Sequence, residues 1–352
     1  MRGRNIMQNE ITTPKELLDV RGHITEEGYA RLPHWRYRRR AVKAPWWRVK
    51  EWDYYAVINQ ESGFGVTITT SDLGYAGLFA LCLLDLKEGR WEQVDTLTVM
   101  PAGRTGFAET ADEDNRILFR DKKLLLDLQR QGDKRVLKFA SEAFSSFCDG
   151  PVSGEVELYQ PPHKPRMAIA TSWQEKRTAF YYNQKINCMP ATGVVKSGSR
   201  EERFEPTTSF GVLDWGRGHW TYKNRWFWAS ASAALPGGVP FGFNLGYGFS
   251  DRSPASENML FYHGIPHKLG DLVFHFDERD YMKPWEMKDS EGRVDLQFTP
   301  RLDRYGNTDL LIIKSLQHQV FGYYHGTVVL DDGSKVIIEN IPGFAEDVYN
   351  RW

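Results

Sequence analysis

The sequence predicts an all-β protein. Three observations carry this: short apolar segments punctuated by Gly, Asp and Asn along nearly the whole chain, tight hairpin signals, and no alternation of helical with strand periods. An aromatic content of 14%, with 12 Trp, suits pleated surfaces and aromatic-walled ligand cavities alike.

Strands are expected at 54–60, 65–72, 116–121, 154–160 and 165–173, with a hairpin over 122–140 turning at Gln131-Gly132-Asp133. A second series falls at 225–233, 240–249, 293–300 and 310–315, with a hairpin over 322–341 turning at Asp331-Asp332-Gly333. Helical periodicity is confined to "TPKELLDV", where Thr13 can serve as N-cap, and to "ASEAFSSF" at 140–147. Antiparallel sandwiches or barrels follow, and Rossmann and TIM architectures do not. At 352 residues the chain exceeds a comfortable single core. The polar stretch "VKSGSREERFEPTT", 195–208, divides it into an N-terminal domain, 1–199, and a C-terminal domain, 200–352.

Composition excludes several function classes. With 45 Lys+Arg against 46 Asp+Glu there is no global field to gather a polyanion. The one basic cluster, "HWRYRRR" at 34–40, interleaves bases with aromatics but reads as a solvated edge or ion-pair cluster, so no nucleic-acid partner is expected. Three scattered cysteines without a CxxC argue against a disulfide framework or zinc ribbon and fit a reducing cytoplasm. The longest apolar run, "GLFALCLLDL" at 77–86, is far short of the ~20 residues of a spanning helix, so no integral membrane association is expected. Neither a metal nor a cofactor is called for: His263 and His267 in "HGIPH" flank a Gly-Pro turn, and GxSxG, Walker A, HExxH and strand-borne GxGxxG motifs are missing.

Candidate chemistry concentrates in "GVLDWGRGHWTYKNRWFWASASA", 211–233. Asp214 stands beside Trp215, ahead of a "GRG" expected to turn. Desolvation by the indoles would keep a proton on Asp214 and make it a general acid, whereas pairing with Arg217 would make it a structural salt bridge. In "RWFWASASA" Trp226, Trp228, Ser230 and Ser232 share one face, large residues giving way to small ones. In "FGFNLGYGF", 241–249, Phe241, Phe243, Leu245, Tyr247 and Phe249 share a face, and Gly242, Asn244, Gly246 and Gly248 the other. So many glycines on one face signal close approach of a ligand or another backbone, or relief of strain in a curled strand. Glu257 and Asn258 form a second polar point. Asp214 and Glu257 are the carboxylate pair that glycoside hydrolysis would need. Trp215, Arg217, Trp220, Trp228, Asn244, Tyr247 and Asn258 are the candidate ligand contacts.

The segments "KINCMPATG", "LDWGRGHWTY", "WFWASAS", "FGFNLGYGF", "ENMLFYHGIPHKL" and "GFAEDVYNRW" together resemble the bacterial proteins grouped as domain of unknown function 2804. That group is distantly similar to the carotenoid 1,2-hydratases and tocopherol cyclases. The resemblance implies two consecutive lipocalin-like β-barrels and a hydrophobic or amphipathic small-molecule ligand. It matches Asp214 in "VLDW" to the acid of the hydratases' Trp-x-Asp motif, with Val212 in place of the tryptophan. Three readings follow: acid-catalysed hydration or cyclisation of an isoprenoid-like substrate by Asp214, a carbocation being stabilised by Trp215, Trp220 or Trp228; a non-catalytic lipid carrier or sensor; and a carbohydrate-active enzyme using Asp214 and Glu257.

Overall fold

The computed structural model describes residues 8–352 except Asp149, Leu311 and Ile312. Two large antiparallel sheets curl into barrels, each a ring of strands with one open seam. From edge to edge the first runs Arg90–Val99, Ala76–Asp85, Phe64–Asp72, Val49–Asn59, Ser209–His219, Lys176–Ser197, Val152–Tyr159, Lys134–Ser141, Leu124–Gln131 and Asn115–Arg120. Strands follow the chain around the ring, and the early strand Val49–Asn59 pairs with the last, Ser209–His219. Smaller strands at Gly28–Ala30, Met167–Trp173 and Arg200–Phe204 extend this sheet.

The second ring obeys the same rule. Its order is Ile265–Lys268, Met259–Tyr262, Val239–Tyr247, Lys223–Leu235, Lys335–Arg351, Ile313–Val329, Val294–Leu310, Trp285–Asp289 and Leu272–His275, so first strand again pairs with last. Sheet membership changes between His219 and Lys223. The polar stretch 195–208 is the hairpin between Lys176–Ser197 and Arg200–Phe204, and the strand after it closes the first ring, which a division near residue 200 would cut off.

Both segments expected to be helical are extended or irregular. Lys15–Glu16 pairs in parallel with Trp35–Arg36, the Leu17 N–H continuing to Arg36 O. Residues 134–141 form a strand, and beyond it the N–H groups of Ser145, Ser146 and Phe147 all donate to the Glu92 carboxylate (2.9, 2.8 and 2.6 Å). Amides committed to one anion are not available to a helical ladder. "GRG" is no turn either: residues 209–219 form one strand, and its glycines serve clearance. A Cβ on Gly216 would lie 1.9 Å from the Trp52 ring. The Gly-Pro reading of "HGIPH" is correct in kind, since His263 and Gly264, both at positive φ, make the two-residue turn between Met259–Tyr262 and Ile265–Lys268.

Alternation decides what each face sees. Leu213, Trp215 and Arg217 point into the first barrel, where Leu81, Leu83, Phe139 and Leu158 fill the interior. Phe241, Phe243 and Leu245 point into the second, against Trp285, Phe298 and Tyr324. Each such side chain contributes roughly 1.5–3 kcal/mol by burial. The opposite faces meet between the barrels: Tyr54, Ala56, Ile58 and Val212 from the first pack on Trp228, Phe321 and Phe344 from the second.

A bulge in Lys176–Ser197 locks this seam. Cys188 adopts a φ of 54° where register shifts between Ile186 and Met189. The displaced Asn187 amide donates to Ser230 Oγ (2.8 Å) and Phe243 O (3.0 Å), and Cys188 N–H to Ser232 Oγ (3.0 Å). At Gly242 the bare face is met by close approach of the other barrel, through the Cys188 side chain. A Cβ there would stand 2.6 Å from Cys188 Sγ and 2.6 Å from Ala231 O. Gly242→Ala is therefore expected to lower the thermal midpoint by several degrees by wedging the barrels apart, overpacking costing about 1–3 kcal/mol. An unchanged melting curve would contradict this packing.

Candidate functional site

In the seam, Asp214 and Lys185 are directly opposed across two paired strands, and Tyr54 faces Asp214 from the other side. Lys185 Nζ lies 2.9 Å from Asp214 Oδ2, and Asn183 Nδ2 donates to Oδ1 at 2.6 Å. The Asp214–Arg217 alternative does not hold. Three residues apart on a strand, the two side chains leave by opposite faces, and Arg217 binds Asp53 (3.1 Å), Trp52 O and Ala108 O inside the first barrel. Asp214 has an ion-pair partner, but it is the lysine of the neighbouring strand.

The second barrel completes the group. The Lys185 ammonium sits 3.5 Å from the centroid of the Trp228 ring. Trp228 Nε1 donates to Asn244 Oδ1 (2.6 Å), and Asn244 Nδ2 donates to Glu257 O (2.7 Å). Asn244 thus spans two strands as a strut, and the bare Gly246 beside it leaves room for the Glu257 carboxylate, 2.7 Å from where a Cβ would stand. Burial raises the Glu257 pKa, opposed by the charge of Lys185 and reinforced by that of Asp214. A further carboxylate shares this field. Glu346 accepts hydrogen bonds from Trp226 Nε1 (2.8 Å) and Gln319 Nε2 (3.0 Å), and Tyr54 OH donates to Gln319 Oε1 at 3.1 Å. Burial pushes the Glu346 carboxyl up to about 7, with the Trp226 bond and Lys185 opposing and Asp214 adding. The Tyr181 hydroxyl is likewise pushed well up by burial, then by Glu257 and Asp214.

Three buried carboxylates thus share one field with Lys185, which pairs directly with Asp214, and Arg252 adds to that field at Glu257 and Arg304 at Glu346. Tyr181, Asn183, Lys185, Gln319 and Glu346 were missed by local sequence reasoning. Two signals were present: Tyr181, Asn183 and Lys185 occupy one alternating face of "YYNQK", and Lys185 and Glu346 lie within "KINCMPATG" and "GFAEDVYNRW".

The other expected contacts fall elsewhere. Trp215 is inside the first barrel, its face covered by Arg217 at 3.9 Å. Tyr247 points into the second barrel, stacked on Phe227 at 4.8 Å. Asn258 is a brace, accepting from Gly246 N–H (2.7 Å) and donating to Gly270 O (2.8 Å). Trp220 lies in the seam in an aromatic cluster with Trp52, Trp226 and Phe249. Phe249 itself leaves the alternation of its strand, because Gly248 at φ 96° turns the chain toward that cluster. Asp214 and Glu257, 7% and 6% exposed, do not flank the open cleft that glycoside hydrolysis requires.

Space beside the cluster is small. A slot of about 10 Å³ runs along the seam between Ile58, Phe210, Val212, Ser230, Ser232 and Phe344, the small end of "WFWASASA" being filled by Asn187 and Cys188. A larger, polar pocket of about 400 Å³ opens at the surface, lined by Trp173, Ser250, Asp251, Arg252 and Asp271. Among the described residues no cluster of His, Cys, Asp and Glu is arranged to hold a metal.

Fold and seam define a double lipocalin-like β-barrel protein with a buried acid–lysine group between its barrels. The chain belongs to the domain of unknown function family DUF2804, whose model matches residues 8–352. Kievitone hydratase from Nectria haematococca superposes with a TM-score of 0.52 at 12% identity over 86% of this chain and 88% of its own. CghA, solved with Sch210972, superposes with a TM-score of 0.52 at 10% identity, again over 86% and 88%. At these identities the likeness is one of fold. No curated protein matches the sequence. No helix among the described residues is long and apolar enough to cross a membrane.

Proposed function

We propose that this protein binds an apolar or amphipathic small molecule in the seam between its barrels and carries out proton-transfer chemistry on it, hydration or cyclisation of an isoprenoid-like alkene. The observation that supports this is the buried group itself: Asp214, Glu257 and Glu346 in one field with Lys185, with the Trp228 ring face as the second neighbour of the ammonium. Burying three carboxylates in one seam costs stability unless protons are retained, and burial raises the proton affinity of two of them, Glu257 and Glu346, despite the opposing charges of Lys185, Arg252 and Arg304.

Roles follow from the hydrogen bonds. Asp214 is an acceptor at both oxygens. The transferable proton is assigned to Glu257 or Glu346, whose affinity for it burial increases. Proton delivery to an alkene carbon consumes the π pair and leaves a carbocation. Water adds to it and returns a proton to the carboxylate, so the acid is regenerated. Trp228 already carries a cation on its face, so a carbocation there would displace Lys185. The slot beside Val212 and Ser230 is smaller than the ~300 Å³ of an ordinary ligand site, so binding entails movement along the seam. A hydratase among the proteins of this fold accords with the reading.

The test compares small molecules that co-purify with wild type and with a Glu257→Gln/Glu346→Gln variant, which has lost both proposed proton donors, from the native host, by mass spectrometry. An alkene enriched on the variant, and its water adduct or cyclised isomer on wild type, is the expected result. The same apolar molecule on both forms would make the protein a carrier. Sugars alone, or no apolar ligand, would overturn the proposal.

A further inference from the structure

We propose that the rim of the first barrel formed by residues 39–48 and 97–104 docks on the surface of an anionic phospholipid bilayer. Here the structure exposes large apolar side chains that the core does not explain: Trp46 (45%), Trp47 (49%), Leu97 (68%), Val99 (80%) and Met100 (53%). Monomeric proteins scatter such residues singly, and a contiguous group marks an interaction surface.

The group is held together by its backbone. Met100 N–H donates to Tyr75 O (2.9 Å) and Ala102 N–H to Gly74 O (3.2 Å). Gly74, at φ 83°, lies so close to the other loop that a Cβ would be 2.5 Å from Trp46 O and 2.7 Å from Trp47 Cα. Buried Asp72 ties the loops from beneath, accepting from Gly74 N–H (2.8 Å), Gly103 N–H (2.6 Å) and Thr105 Oγ1 (3.1 Å). Lys50 Nζ donates to Leu73 O at 2.7 Å and Trp47 O at 3.3 Å. The two indoles meet edge to face, centroids 5.7 Å apart, on a braced platform.

Charge selects the partner. Residues 36–48 contain five arginines and one lysine and no acid. Arg36 and Arg38 pair with Glu16, and Arg39 with Glu51. Arg40 and Lys43 are exposed, and neither is in a salt bridge with a described acid. Arg104, also exposed, donates to Met100 O at 2.7 Å, placing a third cation beside the apolar group. Tryptophan settles at the headgroup level, aliphatic side chains insert below it, and flanking bases meet anionic headgroups. A nucleic acid would use the bases and indoles but offers nothing to Leu97, Val99 and Met100.

The test is co-sedimentation of the full-length protein with phosphatidylcholine vesicles and with vesicles of phosphatidylcholine and phosphatidylserine in equal amounts. Wild type should pellet with the anionic vesicles and be released by high salt. Trp46→Ser/Trp47→Ser and Arg40→Glu/Lys43→Glu should each reduce partitioning by on the order of tenfold or more. Val99→Ser/Met100→Ser, on the neighbouring loop, serves if the tryptophan variant melts early. Wild type remaining in solution with both vesicles, or variants that pellet as it does, would overturn the proposal. So would a dimer that the same substitutions dissociate while leaving vesicle binding absent, or a preference for a single-stranded oligonucleotide over the vesicles.

Discussion

Replacing Lys185 by methionine is expected to destabilise the protein by about 3–5 kcal/mol at pH 8, the cost of removing one partner from a buried ion pair. Methionine keeps much of the aliphatic packing, so the loss reports charge. Lys185 offsets Asp214 directly, 2.9 Å away, and opposes the burial-driven rise at Glu257 and Glu346. Without it Asp214 loses its ion-pair partner and Glu257 and Glu346 lose one opposing charge, and the penalty should shrink as acid supplies protons. Adding Asp214→Asn should recover part of the loss, because the amide carries no charge to strand. Urea unfolding of the two single variants and the double variant measures the coupling. A Lys185→Met variant within 1 kcal/mol of wild type, the error scale of additive sites being about 0.5, would mean that the lysine does not hold the cluster together.

Glu346→Gln is expected to change how stability depends on pH. The folded-state value of about 7 lies above the ordinary 4.5, so the folded protein holds this proton more tightly than the unfolded chain. The stability associated with that proton is fully present below the ordinary value and is lost as pH rises through about 7. Within that window the loss runs at about 1.4 kcal/mol per pH unit, or roughly 3 kcal/mol in all. Glutamine cannot ionise, so the variant's stability relative to wild type should climb between pH 5 and pH 8, whatever the fixed cost of rearranging the bonds to Trp226 and Gln319. Thermal unfolding across that range decides it: parallel curves would show that Glu346 does not titrate there. The same comparison for Asp214→Asn and Glu257→Gln would show which carboxylate holds the seam's mobile proton.

The sequence by itself determined the elements and their faces. Hairpins at Gln131-Gly132-Asp133 and Asp331-Asp332-Gly333 lie where turn chemistry put them, and the alternation in 226–233 and 241–247 was legible because a strand's period is fixed by its backbone. It also singled out Asp214 and the glycine face, both of which lie between the barrels, and the combined segments carried the family. It misread "TPKELLDV" and "ASEAFSSF", where local propensity met a parallel strand pair and an anion, Glu92, that lies far off in sequence. Only the tertiary structure decided who meets Asp214. Arg217 is three residues away and faces the other side of the sheet, whereas Lys185 is 29 positions distant and becomes the direct cross-strand neighbour through pairing register. Glu346 and Trp228 arrive from a second barrel. Partners of that kind are set by long-range closure and by docking of two finished sheets, and no local window of the chain contains the information that joins them.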